Sequence, residues 1–170
     1  MNFVESFPPV IDGEARVLIM GSMPGAASLL KQQYYGNPRN YFWTVIYMLF
    51  ADGAQPEDDY ERRLAFAKRH RLALWDVIAA CEREGSLDAN IKGEQPNDIP
   101  RLLAAYPGIR ALAFNGSKAY DTFRKHYGGH PLVAERVLLK LPSTSPIPTR
   151  QMRNAADRAE AWRVIVEHAQ

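Results

Sequence analysis

The sequence holds one cysteine, Cys81, in 170 residues. A single thiol forms no intramolecular disulfide, supplies no four-cysteine zinc site and holds no iron–sulfur cluster, so Cys81 reads as a small core residue. No apolar run approaches the ~18 residues of a membrane span, and Met1-Asn2-Phe3-Val4-Glu5-Ser6-Phe7-Pro8-Pro9 lacks the basic and apolar regions of a secretory signal. The expectation is a cytoplasmic protein with no membrane partner. Charge of one sign is also scarce. Lys and Arg number 21 against 19 acidic residues, a net +2, which permits a polyanionic partner only through a local basic face. There is no phosphate-loop lysine signature, no Gly-x-Ser-x-Gly elbow and no His-Glu-x-x-His pair. His126 and His130 have helical metal-ligand spacing, but Gly128-Gly129 breaks the shared face, so neither metal nor cofactor is expected.

What is present is an apolar content of 46%, enough for an ordinary core in one domain over residues 1–170. Apolar runs of strand length stand at Val17–Met20, Leu72–Ile78, Ile109–Phe114 and Val137–Leu141. Helical patterns fill Asn40–Phe50, Asp58–His70, Ile99–Ala105, Ser117–Tyr127 and Asn154–Ala169. In the last of these Ala155, Ala159, Trp162, Ile165 and Val166 share a face, with Arg158, Glu160 and Glu167 projecting elsewhere. Uniformly apolar strands separated by helices predict a three-layer α/β/α fold around a central four-stranded parallel sheet. Residues 84–98, with Gly85, Ser86, Gly93 and Pro96, read as a long irregular loop, and Glu82-Arg83-Glu84 as a solvated charge run.

Two loops follow strand-like runs and belong at one sheet edge, where open parallel sheets bind ligands. In Gly21-Ser22-Met23-Pro24-Gly25 the glycines permit close approaches and the proline stiffens the turn, with a helix beginning near Ala26. Its amides suit an anion or a polar base edge, and the same residues also suit a tight turn with no ligand. Ser143, Thr144 and Ser145 lie between prolines, a composition suited either to phosphate oxygens or to capping the loop's own backbone. Of Tyr34 and Tyr35, one is free to stack on a flat ligand or to pack on the neighbouring helix. Asn40 is a favoured helix N-cap and also a group able to orient water, though not a general base. Asp76, acidic within an apolar strand, must be paired, at a strand end or reading a hydrogen-bond donor.

The ordered set Gly21–Gly25, Tyr34-Tyr35, Pro38-Arg39-Asn40-Tyr41-Phe42-Trp43, Leu74-Trp75-Asp76-Val77-Ile78, Gly85-Ser86-Leu87-Asp88, Phe114-Asn115-Gly116 and Leu141-Pro142-Ser143-Thr144-Ser145-Pro146 spans most of the chain. Together these segments resemble the uracil-DNA glycosylase superfamily, within it the hypoxanthine-DNA glycosylase branch. The resemblance implies a monomeric, monofunctional enzyme that flips a deaminated base, chiefly hypoxanthine, from damaged DNA and hydrolyses its glycosidic bond. It implies that Gly21, Ser22, Met23, Pro24 and Gly25 wall the base pocket and that Tyr35 stacks on the base. Asp76 and Asn115 are candidate contacts to the departing base. Ser143, Thr144 and Ser145 hold flanking phosphates, and Ile147 fills the vacated stack. Other branches carry Asp or Asn in the first loop, where this chain has Met23, so the water-positioning role passes to Asn40. They carry His or Asn at the position of Leu141, which argues against efficient uracil excision. Uracil or mismatch excision, and lesion binding without turnover, are the competing readings.

Overall fold

The computed structural model describes residues 2–170. In chain order the first half comprises β1 (Phe3–Glu5), β2 (Val17–Gly21), α1 (Ala26–Lys31), α2 (Phe42–Phe50), α3 (Tyr60–Arg69), β3 (Leu72–Asp76) and β4 (Ile78–Glu82). The remainder comprises β5 (Lys92–Pro96), α4 (Ile99–Ala105), β6 (Ala111–Asn115), α5 (Ser117–Tyr127), α6 (Pro131–Ala134), β7 (Val137–Leu141), α7 (Ala155–Trp162) and α8 (Val164–His168).

Four strands form the expected parallel sheet in the order β3-β2-β6-β7. β2 is central and buried throughout, because helices cover both faces and leave no position for a polar side chain. Val17, Ile19, Leu72 and Leu74 face a core with Phe42 and Trp162, contributed by α2 and α7. Leu18, Met20, Leu112 and Phe114 face the opposite core, with Leu103 of α4 and Phe123 of α5. This is the three-layer α/β/α architecture. Helix starts follow local chemistry: Asp59, Asp98 and Asn154 accept from Glu61, Arg101 and Asp157 amides at 3.2, 3.1 and 2.9 Å.

Three expectations need correction. The run Leu72–Ile78 is not one strand. It breaks at Val77, where the Val77 and Ile78 amides bond Gly21 O and Ser22 O at 2.9 and 3.1 Å, and β4 turns away into a second sheet. That antiparallel sheet, ordered β1-β4-β5, takes in part of the supposed irregular loop 84–98. Lys92-Gly93-Glu94-Gln95-Pro96 has no apolar alternation because it is a half-exposed edge, held by main-chain pairing with β4. The last helical pattern breaks at Arg163 into α7 and α8.

Candidate active site

Strand register brings the site together. Gly21 lies opposite Asp76, Met20 opposite Phe114, and Asn115 opposite Leu141. Asp76, Gly21, Asn115 and Leu141 therefore form one row across the carboxyl edge of the sheet, with side chains on the α2–α7 face. Gly21 leaves a gap in that row. A Cβ there would stand 2.9 Å from Asp76 Oδ1 and 3.5 Å from the Tyr35 hydroxyl, so a side chain at this position would displace the Asp76 carboxyl.

Tyr35 reaches this gap from the segment between α1 and α2. Its φ of 55° is left-handed, an uncommon state for a bulky residue. Its ring stacks on Phe42 at 3.9 Å between centroids. The Tyr35 hydroxyl and Asp76 Oδ2 are both buried without a hydrogen-bond partner among the described residues. Burial pushes the Asp76 carboxyl up to about 7, opposed by the Arg83 guanidinium, aided by Asp88 and opposed by the Gly21 amide. Burial and then the Asp76 charge raise the Tyr35 phenol, while the Asn115 amide acts the other way. Tyr34, by contrast, is core: its hydroxyl donates to Pro8 O at 2.8 Å and its carbonyl accepts from the Trp43 indole at 3.0 Å.

Asn40, Thr144 and Asn115 form one hydrogen-bonded chain. Asn115 Nδ2 donates to Thr144 Oγ1 at 3.0 Å, and the Thr144 hydroxyl donates to Asn40 Oδ1 at 2.8 Å. Thr144 N–H returns a bond to Asn115 Oδ1 at 2.9 Å. Asn40 Oδ1 also accepts the Phe42 amide at 2.9 Å. Asn40 is thus not the N-cap itself, a position held by Tyr41; it closes an Asx turn one residue further out. Both lone pairs of its oxygen are engaged, and Nδ2 has no protein partner among the described residues. Thr144 is fully buried, and its hydroxyl joins two amides.

The other loop residues sit differently. Ser143 is exposed and Ser145 half-buried; their hydroxyls accept the Ser145 and Ile147 amides at 3.0 and 3.5 Å, leaving each O–H free to donate outward. Ile147 is 60% exposed. The two loops meet closely: Gly116, at φ 97°, would carry a Cβ only 3.3 Å from Ser143 Cβ. In the first loop, Ser22 Oγ donates to Asp88 Oδ1 at 2.6 Å, Ser86 Oγ accepts the Ala26 amide at 2.8 Å, and the Pro24 carbonyl accepts from Arg83. Met23 points into a small apolar cluster with Ile78, Cys81 and Ile91. Gly25 adopts an ordinary negative φ.

Two arginines escaped the sequence reading. Arg83, taken as part of a solvated run, is 3% exposed, and Arg158, taken as projecting from the packed face, is 1% exposed. A signal existed for Arg158, which lies four residues before Trp162 and so shares its helix face. His126 meets Glu94 at 3.0 Å while His130 Nδ1 accepts the Leu132 amide at 3.1 Å, so the two imidazoles are separately engaged.

The chain as a whole is similar to known proteins. The family model described as "Uracil DNA glycosylase superfamily" matches residues 8–166. A hypoxanthine DNA glycosylase of Methanosarcina acetivorans is 37% identical over 164 residues, covering 95% of this chain and 97% of that protein. One from Methanosarcina barkeri is 41% identical over 115 residues, 68% of this chain and 72% of its own. A solution NMR structure of a candidate uracil DNA glycosylase from M. acetivorans superimposes with a TM-score of 0.78 at 35% identity, covering 98% of each chain.

Proposed function

Because the chain belongs to the uracil DNA glycosylase superfamily, we propose that it is a monofunctional DNA glycosylase that flips a deaminated base, hypoxanthine above all, into the cleft at the sheet edge and hydrolyses its glycosidic bond. The observation that best supports this reading is the Asn115–Thr144–Asn40 chain, which couples a base-facing amide to a second amide beside the cleft. The names of the Methanosarcina relatives add the substrate.

Base loss passes through an oxocarbenium-like sugar, a strong electrophile that needs a placed water more than a strong base. Asn40 fits that demand. With its oxygen committed to Phe42 and Thr144, Nδ2 holds the water oxygen by donation and leaves a lone pair for attack at C1′. The Tyr35 ring, backed by Phe42, stacks on the flipped base. Asn115 and Asp76 face its polar edge: an Asp76 carboxyl titrating near 7 is available in both forms, accepting from a ring N–H or donating to a ring acceptor as the base departs. Ser143 and Ser145 present hydroxyls to flanking phosphates, and Ile147 enters the vacated stack. The protein acts as a cytoplasmic monomer on damaged DNA; no helix among the described residues is long and apolar enough to cross a membrane.

The test is base release from duplexes carrying one deoxyinosine, one uracil or no lesion, with enzyme in excess and no added metal. Alkali-dependent breakage at deoxyinosine is expected. Cleavage at uracil alone moves the substrate assignment, and binding without release replaces catalysis with lesion recognition. Asn40→Ala is expected to lower release by at least about a hundredfold with folding intact, on the scale of losing a group that acts in the transition state.

A further inference from the structure

Extending the glycosylase reading, on which this inference rests, we propose that Arg158 is the positioning residue that shapes the DNA-facing loop 143–147 and supplies its positive charge. The loop has a specific deficit. Pro146 and Pro148 remove two backbone N–H groups, so the peptides that carry Ser145 O and Ile147 O have no amide proton to offer a ladder. Among the described residues no main-chain hydrogen bond joins residues 143–147 to one another. Arg158 takes over from α7: Nε donates to Ser143 O at 3.0 Å, and Nη2 to Ser145 O at 3.0 Å and Ile147 O at 3.3 Å. Nη1 anchors the guanidinium to Asn154 O at 3.0 Å, at the start of its own helix.

The guanidinium also lies over the Tyr41 ring, 4.4 Å from its centroid. Tyr41 is the residue between Asn40 and α2, and its amide donates to Thr144 O at 2.9 Å. Arg158 therefore contacts both the loop and the segment that carries Asn40. No carboxylate pairs with it within 4 Å among the described residues; the adjacent Asp157 is engaged by Arg153 at 3.4 Å. A buried cation ordinarily demands a counter-ion. Here four carbonyls and an aromatic face solvate it, and its charge stays unneutralised beneath the Ser143 and Ser145 hydroxyls. A DNA phosphate on the outer side of the loop completes the pairing across it.

The experiment compares wild type with Arg158→Gln and Arg158→Lys, each checked for a cooperative thermal transition. Two quantities are read: affinity for an undamaged duplex across a salt series, and KM and kcat for base release from deoxyinosine DNA. For Arg158→Gln a rise of about tenfold in Kd and KM, kcat within about threefold and a flatter salt dependence are expected from loss of one charge and its bonded loop. Arg158→Lys restores the salt dependence but not the whole affinity, because a point charge replaces the fork. If Arg158→Gln does not fold, Arg158→Lys alone carries the test through its raised KM. Unchanged Kd and KM in the folded variants, or a loss confined to kcat, overturns the proposal. A wild type that binds duplex but releases no base defeats the glycosylase reading while the affinity comparison still decides Arg158; a wild type that binds no duplex overturns both.

Discussion

Asp76 occupies the most conflicted position in the molecule. It ends an apolar strand, lies buried beside Gly21 and Tyr35, and has one oxygen without a partner among the described residues. Its carboxyl is raised from an ordinary 3.8 to about 7, with burial as the chief cause. The folded protein thus holds a proton that the unfolded chain has already released. Stability contributed by the neutral acid is complete below about pH 4 and is lost as pH rises through 7. Asp76→Asn keeps the shape without the titration, so its melting temperature is expected to gain on wild type between pH 4 and 7 and then hold a constant lead. Melting curves at unit pH steps check this; a lead that grows on acidification instead would mean an ionised Asp76 stabilised by Arg83.

At the scale of elements, the β4–β5 connection is a strap on the first loop. Ser86 and Asp88 bond the Ala26 amide and the Ser22 hydroxyl, and Arg83 holds the Pro24 carbonyl. Replacing Ser86 and Asp88 together with alanine is expected to speed hydrogen exchange at residues 21–26 and to raise KM several-fold, with the parallel sheet still protected. Unchanged exchange there would make the strap incidental. This element was the least legible in the sequence. Strands such as Val17–Gly21 and Val137–Leu141 declare themselves by apolar composition, whereas Lys92–Pro96 is held by main-chain bonds that side-chain patterning does not encode. The same limit hid Arg83 and Arg158. A charged side chain reads as solvent-facing unless the carbonyls that receive it are known, and those of Ser143 and Ile147 lie 15 and 11 positions away in a loop. The sequence did bring the loops after Val17–Gly21 and Val137–Leu141 to one edge, because parallel strands of one sheet end together; that Asp76 ends β3 level with Gly21 emerges only from the register.

For the whole molecule, a net charge of +2 sets the character of DNA binding. Such a protein has no strong long-range field, so affinity rests on a few contacts beside the cleft. Arg39, next to Asn40, and Arg150, shortly after Ile147, are exposed and suited to phosphate. The logarithm of affinity should fall with the logarithm of salt at a slope of about −2 to −4, and Arg39→Gln and Arg150→Gln should each flatten it by about 1. A slope steeper than about −6 would point to an extended basic footprint that the composition does not offer.

The order of the segments along the chain gives α7 a further significance. Phe42 at the head of α2 packs against Trp162 of α7, 6.0 Å between ring centroids, across more than a hundred intervening residues. On a ribosome, the loop 21–25 is made more than a hundred residues before α7, whereas residues 143–147 precede Arg158 by only 15 to 11 positions. A nascent polypeptide halted short of Arg158 carries both loops yet lacks the guanidinium that bonds the Ser143, Ser145 and Ile147 carbonyls, so that brace forms only once α7 has been made.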